Sequence, residues 1–147
     1  MKCLYVLFDA ECAMCVRCRE WLSRQPAFVP LHFIPLQSPD LPRFFPGIDV
    51  LKPNEQLLGV GDNGAVYRGA CAWIMCLWGL QEYREHALRL AEPVLLPFAR
   101  IVCELLSRNR FFLSRQFFKQ NAHDVARRLT AHIPLEQPKC LAVSAAG

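Results

Sequence analysis

Two cysteines three residues apart, Cys12 and Cys15 in the run Cys12-Ala13-Met14-Cys15, carry the chemistry most plainly. They follow the apolar run Cys3 to Phe8 and open a stretch with helical periodicity, so they belong to a strand-to-helix junction. The first turn of a helix has unpaired backbone N–H groups and the positive end of the macrodipole. A thiolate there is favoured over a thiol, which lowers the thiol pKa and raises the supply of nucleophile at neutral pH. A pair with this spacing can close a small disulfide. One thiol attacks a substrate disulfide and the other resolves the mixed disulfide. Cys12, nearest the helix start, is expected to be the attacker, and Cys15 the more buried resolving thiol.

Asp9 stands three residues before Cys12, at the end of the apolar run. Its carboxylate suits a proton acceptor for Cys15 during resolution. It equally suits a helix cap or a turn closed through its side chain. Glu11 next to Cys12 would oppose thiolate formation, and Arg17 and Arg19 lie too far along the helix to help much. Cys18 extends the row to three cysteines and raises a metal or iron–sulfur alternative through Cys12, Cys15 and Cys18. No second C-x-x-C follows, and Cys71, Cys76, Cys103 and Cys140 lack ligand spacing. His123 and His132 are too far apart for ligation from adjacent turns. Thiol redox is therefore the stronger reading, with no metal and no cofactor. Cys71, Cys76 and Cys103 are most simply small core residues.

The elements that position these groups follow from pattern. Cys3 to Phe8 reads as a buried strand. From Cys12, Met14, Cys15, Cys18, Trp21 and Leu22 form one helical face, and Pro26 ends the helix. Leu31 to Pro35 reads as a second strand, and prolines 39, 42 and 46 punctuate a loop with one short helix. Residues 56–60, Asp62-Asn63-Gly64 and 65–68 read as a β-hairpin. Residues 69–80 form an apolar helix, a further helix leads towards Pro93, and Pro97 to Leu106 is helical, with Phe98, Ile101, Val102, Leu105 and Leu106 on one face. A last helix is expected from His123 to His132, and 134–147 as a flexible tail. Strand, helix, strand implies a parallel βαβ unit, and the hairpin adds an antiparallel pair. The fold class is thus α/β, with a mixed four-strand sheet and additional C-terminal helices.

The 147 residues fit one domain, expected over 1–133. With 53% hydrophobic and 20% charged residues the chain is not disordered, and its eleven prolines show no repeat. The apolar run at the start is too short for a secretory signal, and no stretch reaches the length of a membrane span. A cytoplasmic protein is expected, in which eight cysteines need no disulfide scaffold. Charge is uneven: residues 100–147 hold eight Lys/Arg against three Asp/Glu. There Arg108, Arg110 and Arg115 alternate with Phe111, Phe112, Phe117 and Phe118. Such interleaving can grip single-stranded nucleic acid. The better reading packs the phenylalanines into the core with the arginines in water, so no nucleic-acid partner is expected. A dimer surface is also compatible with this segment, and the oligomeric state stays open.

Phe8-Asp9-Ala10-Glu11-Cys12-Ala13-Met14-Cys15, followed by Trp21-Leu22, resembles the signature of the DCC family of thiol-disulfide oxidoreductases, named for an Asp and two Cys. Pro35-Leu36-Gln37-Ser38, Asp62 to Gly69, Ala72, Leu96-Pro97 and Ser107 to Phe111 are similar to its later segments. The resemblance covers roughly residues 4–115. It implies a thioredoxin-like fold and thiol–disulfide exchange with a disulfide-containing protein or a small thiol, and it carries over Asp9, Cys12 and Cys15. Two departures stand out. Ala10 occupies a place where members often have Gly. No proline directly precedes the hairpin strand near Gln56, where a thioredoxin has a cis-proline. The nearest is Pro53, which either reaches the site through a longer loop or leaves the groove without that feature. A thioredoxin-like binding module without turnover is the remaining alternative.

Overall fold

The computed structural model describes residues 1–117. The expected helix 123–132, the tail 134–147, and the side chains of Phe118, His123, His132 and Cys140 lie outside the described residues.

Strand β1 (Leu4–Phe8) is buried along its whole length, which is why it reads as an unbroken apolar run. Helix α1 (Ala13–Arg24) leads to β2 (Leu31–Pro35), which pairs in parallel with β1 from Leu4↔Leu31 to Phe8↔Pro35. Next come the short helix α2 (Leu41–Phe44), with Pro42 in its first turn, and a 3-10 turn over Ile48–Leu51. β3 (Leu58–Gly61) runs antiparallel to β1, and β4 (Val66–Arg68) antiparallel to β3. The sheet order is β2-β1-β3-β4, mixed, as the pattern of elements implies. Three helices follow: α3 (Ala70–Gly79), α4 (Arg84–Leu90) and α5 (Leu96–Phe117). A four-strand mixed sheet with five α-helices among the described residues is consistent with a thioredoxin-like fold.

Alternation along β1 divides the core into two layers. Tyr5 and Leu7 point to one face and pack with Leu41, Phe45 and Ile48 of the α2 region. Leu4 and Val6 point to the other and pack with Leu22 of α1 and Cys76 and Leu80 at α3. The sheet is therefore the middle of three layers, and α1 is held against it on the α3 side.

The hairpin closes on Asp62, Asn63 and Gly64. The Gly64 N–H donates to the Gly61 carbonyl, the Gly61 N–H to the Ala65 carbonyl, and Gly64 takes φ +79°. A single left-handed glycine closes the turn, and Asn63 contributes through its side chain, which accepts from the Ala65 N–H at 3.1 Å.

Helix α5 departs from expectation. It runs unbroken from Leu96 to Phe117, joining two segments that the pattern separates. Its apolar face is exposed: Phe98, Ile101, Val102, Leu105, Phe111 and Phe112 all lie largely in the open. Phe111 and Phe112 are thus not core anchors. The half-buried stripe is Leu96, Ala99, Cys103, Ser107 and Arg110, at three- and four-residue spacing. Arg110 faces inward because an anionic partner, Asp9, waits beneath it.

Candidate active site

The chain leaves β1 at Phe8 and turns through Asp9, Ala10 and Glu11, closed by the Cys12 N–H donating to the Asp9 carbonyl at 3.3 Å. Cys12 is the N-cap of α1, with φ −93° and ψ 109°. Its Sγ accepts the Cys15 backbone N–H at 3.4 Å, as a serine or aspartate oxygen does at other helix starts. The turn has no need of glycine at Ala10: among the described non-glycine residues only Lys52 has a positive φ. Ala10 is buried against Phe8 and Val16, so its methyl contributes to the core.

Cys12 and Cys15 approach to 3.0 Å. Their thiols are driven in opposite directions. The hydrogen bond from the Cys15 side chain lowers the Cys12 pKa to about 6 from an ordinary 9.0, aided by the Cys15 N–H and the Arg110 charge and opposed by burial and Asp9. The bond it gives to Cys12, burial and the negative charge of Cys12 all push the Cys15 thiol far up. Burial, then the charge on Cys12, also raises Cys18. The carboxylate acting against the Cys12 thiolate is Asp9, two residues further back than Glu11.

Accessibility corrects one expectation. Cys12 is fully enclosed at 0% exposure, while Cys15 is half-buried. A cavity of about 230 Å³ between α1, α5 and the loop before β3 opens onto Cys15 and Cys18, with Asp9, Pro53, Cys103 and Arg110 in its wall. Met14, Cys15 and Cys18 line this space instead of packing on the sheet. The stripe of α1 that is truly buried is Ala13, Val16 and Leu22. Pro53 does reach the site, in the trans form, as no described peptide bond is cis.

Asp9 is only 9% exposed and densely bonded. Its Oδ1 accepts from the Glu11 N–H at 3.0 Å and from Gln37 Nε2 at 2.8 Å. Gln37 Oε1 in turn accepts the Ala10 N–H at 3.1 Å, so one amide holds the start of the turn through two bonds. The Arg110 Nη2 lies 3.6 Å from Asp9 Oδ2, in a pair whose two side chains are 12% and 10% exposed. Arg110 also donates to the Asn54 carbonyl, tying α5 to the loop that carries Pro53. Such a partner is what a buried carboxylate requires.

The three residues singled out from the sequence, Asp9, Cys12 and Cys15, thus meet at one junction. Cys18 borders the same cavity, yet among the described residues no three His, Cys, Asp or Glu are grouped as metal ligands. Gln37 and Arg110 are the functional candidates that sequence reasoning left without a role. Both sit in segments already similar to the family, and nothing in spacing alone links residues 28 and 101 positions beyond Asp9 to it.

The family model for DCC1-like thiol-disulfide oxidoreductases matches residues 6–116. No curated protein and no solved structure matches the chain.

Proposed function

Because the chain belongs to the DCC1-like thiol-disulfide oxidoreductase family, we propose that it exchanges disulfides with Cys12 as attacking thiolate and Cys15 as resolving thiol. The observation that carries this reading is the pairing of the two thiols at the start of α1: the Cys15 side chain, then its backbone N–H, hydrogen-bonds Cys12 Sγ and brings the Cys12 pKa to about 6 while Cys15 stays protonated. Cys12 attacks one sulfur of a substrate disulfide, the substrate S–S bond breaks, and the other sulfur leaves as thiolate. Cys15 then loses its proton to Asp9 and attacks Cys12 Sγ, releasing the second substrate thiol and closing the Cys12–Cys15 disulfide. Two electrons pass from the dithiol to the substrate, and an external dithiol restores the starting state.

Cys12 is enclosed, so attack requires the cover to open. Arg110 is the group to shift, since it joins α5 to Asp9 and to the Asn54 carbonyl. A substrate that displaces α5 would bring its disulfide down the cavity past Cys15. Disulfide-bearing proteins and small disulfides are both in scope, in a reducing compartment such as the cytoplasm, and the working unit is one domain over 1–133. No helix among the described residues is long and apolar enough to cross a membrane.

Reduction of insulin coupled to dithiothreitol tests the reading. Cys12→Ser is expected to abolish the rate above background, and Cys15→Ser to accumulate a mixed disulfide with substrate. An undiminished rate from Cys12→Ser would overturn it. The enclosure of Cys12 favours a second reading, a binding module without turnover. Its signature is Cys12 alkylation by iodoacetamide no faster than that of an ordinary thiol at pH 7.

A further inference from the structure

Two more cysteines stand beside this site on separate helices. Cys71 lies in the first turn of α3, and Cys103 on the inward stripe of α5. α3 and α5 pack together, and both thiols are half-buried in the wall of one groove of about 870 Å³. Cys103 also lines the smaller cavity with Cys15 and Cys18. It is therefore the one cysteine of the described residues that borders both spaces.

We propose that Cys71 and Cys103 form a second dithiol that passes its electrons to the Cys12–Cys15 disulfide. This rests on the reading of Cys12 and Cys15 given above. The Cys103 thiol loses its proton to solvent and attacks Cys15, the sulfur of the pair that faces the shared cavity. The Cys12–Cys15 bond breaks and Cys12 leaves as thiolate. Cys71 then attacks Cys103, forming the Cys71–Cys103 disulfide and expelling Cys15, which takes up the proton Cys71 gives. One disulfide and two thiols thus become one disulfide, one thiol, one thiolate and a released proton. The direction of attack follows from access: Cys15 faces the shared cavity while Cys12 is enclosed, and the departing Cys12 thiolate is received by the Cys15 N–H and the Arg110 charge. The two new thiols also sense each other, since Cys71 adds to burial in raising the Cys103 pKa. An α3–α5 disulfide would tether the helix that carries Arg110, so the state of the second pair would set how readily the site opens.

The test uses the full reduced chain and one equivalent of diamide, a disulfide-forming oxidant. Samples are quenched with N-ethylmaleimide over time, and the linked peptides are mapped by mass spectrometry. The expected course is an early Cys12–Cys15 link that gives way to Cys71–Cys103. In Cys103→Ser the first link persists. In Cys71→Ser a Cys15–Cys103 link accumulates, which a merely structural cysteine would not produce. In Cys12→Ser, Cys71–Cys103 forms about tenfold more slowly or worse. A wild-type Cys12–Cys15 link that persists, with Cys71 and Cys103 alkylated, overturns the relay and leaves the function above intact. A Cys71–Cys103 link forming equally fast in Cys12→Ser also overturns it. Absence of any Cys12–Cys15 link in Cys103→Ser overturns the function, and the relay with it.

Discussion

At Cys12 one sulfur has two jobs that substitution can separate. It caps α1 by accepting the Cys15 N–H, and it is the group poised to ionise. Serine retains the cap, so below pH 6, where the thiol is protonated folded and unfolded alike, Cys12→Ser should fold as stably as the native chain, and it should lose exchange at every pH. Cys12→Ala should cost ~1 kcal/mol by loss of the cap, read from urea denaturation of the reduced proteins. Two charges act on the sulfur with opposite sign. Asp9 raises its pKa and Arg110 lowers it. The pH midpoint of Cys12 alkylation, followed by mass spectrometry, should therefore fall in Asp9→Asn and rise in Arg110→Gln. Movement of both in one direction would mean that repacking of the turn, not charge, governs the thiol. Asp9→Asn should in addition slow resolution, visible as a longer-lived mixed disulfide, because it removes the proposed proton acceptor for Cys15.

Among the elements, β1 and α1 mount the cysteines, and α5 walls the cavity beside them. Leu7 is 1% exposed and packs with Leu41, Phe45 and Ile48 in the layer opposite α1. Leu7→Ala should destabilise the fold by ~2–5 kcal/mol through lost burial and a residual cavity, with the Cys12 alkylation midpoint unchanged in the folded protein. Denaturation and alkylation measured on one sample would decide whether mount and site are independent. α5 is different in kind. It meets the body through a stripe that includes Cys103, Ser107 and Arg110, and its apolar residues are turned outward. Hydrophobic periodicity assigns the inward face to Phe98, Ile101, Val102 and Leu105, which is the wrong side. The inward stripe instead carries Arg110 with its ion pair to Asp9 and its bond to the Asn54 carbonyl, and neither leaves a periodic trace.

For the whole molecule, the depressed Cys12 pKa links redox state to stability. The unfolded thiol ionises near 9.0 and the folded one near 6, so the reduced chain binds fewer protons than its unfolded form between these values. That contribution is present above pH 9, declines as pH falls towards 6, and is lost below. Cys15, Cys18 and Cys103 are shifted upward, so their own effects begin above 9 and leave this window alone. The melting temperature of the reduced native chain, relative to reduced Cys12→Ser, should therefore climb between pH 6 and 9. A flat difference would mean that the thiolate gains nothing from the fold. The strands, α1 with its start at the cysteines, the hairpin, the mixed sheet and the grouping of Asp9, Cys12 and Cys15 are all determined by sequence alone. Each rests on contacts within a few residues, on a period of two or three to four, or, for the mixed sheet, on the order of elements and the rules that tie βαβ units to parallel and hairpins to antiparallel pairing, and such regularities survive in one dimension. Only the tertiary structure decided that Cys12 is enclosed and Cys15 faces the cavity, that Pro53 reaches it, and that Gln37 and Arg110 hold Asp9. Those outcomes depend on which surfaces meet after the chain has closed on itself, and burial and charge pairing between distant segments carry no local signature.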